Sequence, residues 1–293
     1  ADLGSQDVGN YTVVATDVAT GVEASTDVNV TEAATGGITF AQNTYSVAQG
    51  GVAEITLDVT GTTTGTLVVG EDSESGYQAN VTFTDENEDG QVTIQFNTYT
   101  AGNTSADIVD AAGEDTASAG AGNTSLGSGD LLAQGGYNLA ADTGHTNDGA
   151  SVYNSGSASF SALSIGPRST DSMTLWTAPS KTGADELLDS VTQDSTIAQN
   201  DWVVHQVSAT GLDGLVDARG NFSNALENGL NVSVEQTEAT TLQNRGPKTL
   251  DTDEAMADGD LVLMADAENE SYYIALDTST DAFERTNSDD DGL

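Results

Sequence analysis

Along most of the chain, apolar and polar residues alternate with a period of two, which predicts strands rather than helices. Residues 10–16 and 22–31 alternate in this way around a Thr20-Gly21 turn, so they are expected to form a hairpin. Two strands bury too little to stand alone. Residues 1–34 therefore read as the terminal hairpin of a preceding domain, or as a hairpin packed on the next one. Residues 33–37, rich in Ala and Gly, read as a linker. Strand-like runs follow at 38–40, 44–47, 53–59, 66–69, 79–84 and 91–97, at the spacing typical of β-sandwiches. Residues 85–90, acidic and ending in Gly90, are expected to be a hairpin turn between the last two. Residues 101–130 have few large apolar groups and read as a long loop. Strands resume at 137–141 and 158–165.

Gly166-Pro167 marks a second boundary. Beyond it, strands are expected at 172–176, 202–208, 230–234, 261–265 and 272–276. A short helix is expected over 184–191, with Asp185 and Glu186 in its first turn. The expected fold is all-β: tandem immunoglobulin-like β-sandwich domains in a fragment truncated at both ends. One sandwich spans 38–167 and carries the long loop 101–130. The other spans 170–293 and is expected to be incomplete. A short internal similarity fits this division. Gly9-Asn10-Tyr11-Thr12-Val13 and Gly135-Gly136-Tyr137-Asn138-Leu139 share a Gly-x-Tyr-x-aliphatic pattern, each ahead of a hairpin and a linker. In immunoglobulin-like sandwiches, a tyrosine near the start of the penultimate strand ties back a corner through its hydroxyl.

Charge alters the picture more than composition does. The chain has 47 acidic and 6 basic residues and a formal net charge of −41. The basic residues are Arg168, Lys181, Arg219, Arg245, Lys248 and Arg285, so everything before 168 is purely anionic. Such self-repulsion opposes compaction in dilute buffer. It is largely screened at molar salt, where the Debye length falls to about 3 Å. With 37% hydrophobic residues and only 3 prolines, the composition is that of a folded protein of strong brine rather than a disordered tail. Nucleic acid and anionic membrane surfaces are excluded as partners by the lack of clustered Lys and Arg. Cations are the natural partners. No apolar run is long enough to span a bilayer, so membrane attachment is expected only through segments absent from this chain. No cysteine is present, so disulfides and thiol chemistry are absent.

Asn-x-Ser/Thr triplets are the clearest site signal. They fall at Asn10, Asn29, Asn80, Asn103, Asn123, Asn221, Asn231 and Asn269, and mark them as candidate acceptors of N-linked glycans. Asn103, Asn123 and Asn221 lie in loop-like context. Asn29, Asn80 and Asn231 lie in strand-like runs, where an outward side chain is also reachable. A second signal is acidic. Asp85-x-Asn87-x-Asp89-Gly90 repeats the first half of an EF-hand calcium loop, but Phe96 stands where the bidentate Glu belongs, so an acidic turn is the competing reading. Asp289 and Asp291 form a second candidate cation cluster. Glu71-Asp72 and Asp251/Asp253/Glu254 are further carboxylate groupings. Calcium or magnesium is the expected ion. Catalysis finds no constellation: the two histidines, His145 and His205, are far apart, and there is no nucleophile elbow or phosphate loop.

Several runs together resemble the haloarchaeal S-layer glycoproteins, the major cell surface glycoproteins. They are Tyr77–Asp85, Val92–Gly102 with its Phe-Asn-Thr-Tyr core, Arg168–Pro179 with Leu-Trp-Thr-Ala-Pro, and Asp201–Val207. The resemblance implies a chain of immunoglobulin-like domains, exported, N-glycosylated and anchored elsewhere. Such a chain assembles with copies of itself into a porous, divalent-cation-dependent two-dimensional lattice at the cell surface. The sequons match the family's modification motif, whereas no cation position transfers. The expected role is structural, not enzymatic. The alternatives are a surface adhesin or glycan-binding module, or the non-catalytic β-module of a secreted hydrolase.

Overall fold

The computed structural model describes residues 9–30, 36–102, 108–119, 126–127, 129–146, 148–180, 182–183, 186–227, 229–237, 246–266 and 269–285. Strands dominate, so the chain is all-β in the main. The first element is the expected hairpin. Strands β1 (Gly9–Thr16) and β2 (Glu23–Val30) pair antiparallel from Gly9↔Val30 to Thr16↔Glu23, and with no other strand among the described residues. The turn is built by Asp17, whose carboxylate accepts from the Ala19 N–H and the Thr20 hydroxyl, and by Gly21 at φ +72°. Val13 and Val14 point to opposite faces, yet are 48% and 54% exposed. Among the described residues, no buried apolar cluster includes this ribbon.

Residues 37–166 form two sheets around one core. Strands β3 (Gly37–Phe40), β5 (Val52–Thr60), β8 (Gln91–Asn97) and β9 (Val109–Ala111) make a four-stranded antiparallel sheet in that order. The facing sheet has six strands, in the order β10 (Thr116–Ala119), β7 (Ala79–Thr84), β6 (Thr64–Val69), β11 (Gly135–Thr143), β12 (Ser159–Gly166) and β4 (Tyr45–Ala48). Among the described residues only the β12–β4 pair is parallel. Alternation determines the inward face: along β5, Ala53, Ile55, Leu57 and Val59 are buried while Glu54 and Asp58 are exposed. Ile55, Leu57 and Phe96 meet Leu67, Phe83 and Leu139 across the gap. Each such side chain contributes about 1.5–3 kcal/mol by leaving water. Tyr137 stands near the start of β11, the penultimate strand, and its hydroxyl donates to the Ala133 carbonyl at 2.9 Å.

The outer face of the six-stranded sheet is partly covered too. The short helices α1 (Asp72–Ser75) and α2 (Gly149–Tyr153) follow β6 and β11, and Val152 of α2 packs on Val68 and Ala140. Asp148 starts α2 by accepting from the Ala150 N–H at 3.1 Å.

Two loop expectations are corrected. Residues 85–90 are not a hairpin turn, because β7 pairs with β6 and β10 whereas β8 pairs with β5 and β9. The loop is a corner that carries the chain from one sheet to the other. An acidic stretch ending in Gly90 shows that the chain turns, but not which strand it pairs with next. Residues 101–130 are not one loop either. They contain β9 and β10, each at the edge of a different sheet, so residues 112–115 make a second inter-sheet corner. Edge strands of three or four small residues carry too little apolar alternation to register in a sequence window.

From residue 170 the architecture changes. Strands β13 (Thr170–Ala178), β14 (Thr192–Gln193), β15 (Trp202–Ala209), β17 (Leu261–Asp266) and β18 (Ser271–Asp277) form an antiparallel sheet in the order β14-β13-β15-β18-β17. The second immunoglobulin-like sandwich expected over 170–293 has no facing sheet among the described residues. Helices take its place. Leu215 of α4 (Asp213–Arg219) and Phe222 of α5 (Phe222–Glu227) pack with Leu263 and Tyr272 of the sheet. Ala255 of α6 (Thr252–Asp258) joins Val203 and Leu276 on the same face. On the opposite face, Trp202 and Val204 pack with Leu187 of α3 (Leu187–Ser190), the remnant of the helix expected over 184–191. A two-stranded ribbon, β16 (Lys248–Leu250) with β19 (Phe283–Arg285), completes the unit. The strand expected over 230–234 is irregular. Leu230 and Val234 are instead partly buried in two different clusters, and only Glu235 makes a β-bridge, to Thr249.

Candidate functional site

Among the described residues, three kinds of feature stand out: contacts between units, carboxylate clusters and Asn-x-Ser/Thr triplets. The seam between the sandwich and the sheet-and-helix unit is the most built of these. It centres on Phe96-Asn97-Thr98-Tyr99, at and just beyond the end of β8. Phe96 faces the sandwich core. Asn97, 2% exposed, crosses the seam: its Nδ2 donates to the Gly214 carbonyl at 2.9 Å and to Asp217 Oδ2 at 2.8 Å. Its Oδ1 accepts from the Tyr99 N–H. The Thr98 hydroxyl accepts from the Gly50 N–H and donates to the Gly51 carbonyl, fixing the 49–51 turn. Tyr99 then packs against the helical cluster of the second unit. Conversely, Asp213 at the start of α4 reaches back, and its Oδ2 accepts from the Val52 N–H at 2.7 Å.

Glycines permit this approach. A Cβ on Gly50, whose φ is +88°, would lie 2.8 Å from the Gly211 carbonyl oxygen, and one on Gly211 would lie 2.4 Å from the Gln49 carbonyl oxygen. Gly50-Gly51 is thus more than a turn signal: it lets two backbones touch.

Burial lifts the Asp213 carboxyl above its ordinary range; the N–H groups of Val52, Asp213 and Gly214 oppose this, and the Asp217 charge adds to it. With the folded value raised, the folded state binds the proton first, so this group favours folding more as pH falls through that value. Asp213→Ala should cost about 1–3 kcal/mol by orphaning the Val52 N–H. Asp213→Asn should keep an acceptor, cost less, and flatten the acid-side gain in stability. Urea titrations in molar KCl at neutral and mildly acidic pH check both.

The acidic sites resolve unevenly. Asp85 is 3% exposed, and its Oδ2 accepts from the Gly90 N–H at 3.0 Å. Asn87 and Asp89 are occupied locally: Asn87 Oδ1 accepts from the Asp89 N–H, and Asp89 Oδ1 accepts from the Gln91 N–H. Asp115, from the second inter-sheet corner, accepts from the Glu86 N–H at 3.1 Å. Its carboxyl is raised by burial and by the charges of Asp85 and Asp89, against the N–H groups of Glu86 and Asn87. Sequence reading missed Asp115, which lies far along the chain from Asp85. Asp289 and Asp291 lie outside the described residues. The Asp251/Asp253/Glu254 group is a helix start, with Asp251 Oδ1 accepting from the Asp253 and Glu254 N–H groups. Glu71 and Asp72 lie at the start of α1. Asp258, Asp260 and Asp281 bring carboxylate oxygens within 4.8 Å of one another, a grouping hidden in the sequence because Asp281 comes from a separate turn. Nearby, the Glu254 carboxyl is raised, first by desolvation and then by the charges of Asp251, Asp258, Glu284 and Asp281.

The sequons also divide. Asn10 is exposed on β1 and stands directly across from Asn29 of β2 in the hairpin register. Asn221, Asn231 and Asn269 are exposed. Asn221 starts α5, its Oδ1 accepting from the Asn224 N–H, and Asn269 lies in the β17–β18 turn. Asn103 and Asn123 lie outside the described residues. Asn80 is corrected: it is 6% exposed, and its Oδ1 accepts from Gln78 Nε2 at 3.1 Å. Gly149, at the start of α2, has no room for a Cβ beside that same oxygen. A glycan on Asn80 has no path to solvent in this fold. The strand pattern suggested an outward face, but α2 covers it.

The histidines stay apart. His145 Nε2 pairs with the Phe83 carbonyl oxygen at 2.8 Å. His205 sits on β15 of the other unit, and burial lowers its pKa.

Comparison with known proteins places this geometry. Residues 30–144 match a family described as a domain of unknown function, DUF7827. A cell surface glycoprotein of Haloferax gibbonsii is 38% identical over 97% of this chain and 32% of its own length. Cell surface glycoprotein 1 of Haloarcula hispanica is 29% identical over 97% of this chain and 34% of its own. Cell surface glycoprotein 2 of the same organism is 29% identical over 98% of this chain and 34% of its own. The chain therefore spans about a third of the length of these curated relatives.

Proposed function

Since the chain is a homologue of the haloarchaeal cell surface glycoproteins, we propose that it is a section of a glycosylated cell-surface coat that assembles with its own copies into a two-dimensional, cation-dependent lattice. Its role is structural, and its place is outside the cell. The observation that carries this reading is homology over 97% of this chain, and 32% of the relative's length, to a protein of that name, joined to a −41 charge that suits brine. The sandwich of 37–166 is of immunoglobulin type in this reading, supported by its two facing sheets and by the Tyr137 hydroxyl tied to Ala133. The glycine-lined seam supports a chain of units joined end to end, because Asn97 and Asp213 tie each unit to the other. N-linked glycans are assigned to the exposed Asn10, Asn221, Asn231 and Asn269. Divalent cations bridge carboxylates that would otherwise repel, while salt screens the rest.

The competing reading, an adhesin or glycan-binding module, calls for an exposed aromatic cluster. Trp202 is buried, and the partly buried Trp176 donates its indole N–H to Gln206 Oε1. Among the described residues the exposed large aromatic is Phe160, stacked on Tyr153. Cell envelopes washed with chelator and then moved to low salt should release the protein into the supernatant. Retention of an intact coat under both treatments would refute cation-dependent assembly.

A further inference from the structure

We propose that the paired inter-sheet corners at 85–90 and 112–115 form a calcium site inside the sandwich, anchored by the carboxylates of Asp85 and Asp115. The key observation is one atom. Asp85 is 3% exposed, and its Oδ1 is buried with no hydrogen-bond partner among the described residues. A carboxyl oxygen withdrawn from water without a donor is costly, and a native structure holding one calls for an explanation. No basic residue precedes Arg168, so no ammonium or guanidinium of this half of the chain can pair with it. The charged groups beside Asp85 are acids instead, namely Asp115 and Asp89. Asp115 is held there by donation from the Glu86 N–H, so the two corners are already joined by backbone.

Asp85 lines an open cleft with Val59, Thr62, Thr63, Glu88 and Gly90. Asp115 is not part of that lining and reaches the corner through the Glu86 N–H. Calcium takes irregular sets of carboxylate and carbonyl oxygens, whereas magnesium demands near-octahedral geometry and gives up water reluctantly. The ligand set differs from the one the sequence suggested. Asn87 and Asp89 each direct one side-chain oxygen to a neighbouring backbone N–H within the loop. These bonds shape the loop, and the second anchoring carboxylate comes from the other corner. An ion here would fasten the β7-to-β8 and β9-to-β10 crossovers to each other, at the end of the sandwich where both leave their sheets.

The test uses the full chain in molar KCl, stripped with chelator and then titrated with calcium, with binding followed by calorimetry and unfolding by circular dichroism. At about 100 times Kd, calcium should raise Tm by roughly 5–10 °C. Asp115→Asn, at a partly exposed position, should fold, bind one calcium fewer and lose that rise. Asp85→Asn should do the same, and if it fails to fold, Asp115→Asn decides alone. Asp258→Asn, in the exposed acidic group of the other unit, should leave the rise intact. The site is overturned if wild type shows no calcium-dependent rise, if Asp115→Asn keeps wild-type stoichiometry and rise, or if Asp258→Asn removes them. Because the readout is the free chain, it separates from the coat reading. A lattice that fails to form while this binding persists counts against the coat alone.

Discussion

Gly214→Ala should destabilise the chain by about 3 kcal/mol, through overpacking and lost seam hydrogen bonds. A Cβ at this position would lie 2.4 Å from the Gly50 carbonyl oxygen and 2.6 Å from Asn97 Oδ1. The first is backbone of a turn pinned by Thr98, so it cannot swing aside. The second belongs to the side chain that ties the units together. The expected calorimetric result is a split transition, with the unit beyond residue 170 melting before the sandwich. Gly220→Ala serves as the control. Its φ is +78° with nothing within 4 Å of the added carbon, so it should cost only the left-handed backbone term of about 1 kcal/mol. Equal effects from both substitutions would mean that the seam is not tightly packed.

The larger effect is expected from solvent rather than from a mutation. Transfer from molar to about 0.1 M salt lengthens the Debye length from roughly 3 to 10 Å. The net charge of −41 is then exposed to itself, most severely in the sandwich, which has no basic residue. Most of the strand signal in circular dichroism should be lost and should return on restoring KCl. The apolar core of Ile55, Leu57, Phe83 and Phe96 loses only the modest salting-out contribution on dilution, so the loss reports chiefly repulsion. An unchanged spectrum in dilute buffer would show that the acidic surface tolerates its own field without screening.

What was legible in the sequence was local. Alternation at 53–59 and 91–97 gave β5 and β8, with the buried and exposed sides as observed. Tyr137 stood out by its place before a hairpin, and its hydroxyl makes a tie to Ala133. The Phe-Asn-Thr-Tyr run was conspicuous, but its use was hidden, because Asn97 meets Gly214 and Asp217 more than a hundred residues away. The same limit hid Asp115 from Asp85. Their meeting depends on two crossovers that periodicity cannot assign to sheets. Asn80 misled for a related reason: period two tells which residues share a face, not whether a helix such as α2 later covers it. The unit beyond 170 was misread where apolar residues at 230–234 alternated like a strand while packing as irregular chain. There, Asp251 and Gly259 bracket α6 with an N-cap and a left-handed C-cap, a signal that could have been used.

The coat reading is tested most directly by electron cryo-tomography of native envelopes from cells displaying the protein, with subtomogram averaging. The account predicts a periodic surface array whose repeating density accepts the two-sheet body of residues 37–166 joined through its glycine seam to the sheet-and-helix unit, with glycan density at exposed sequons and none at Asn80. Surface protein without a repeating neighbour relation, in envelopes kept in calcium and molar salt, would contradict it.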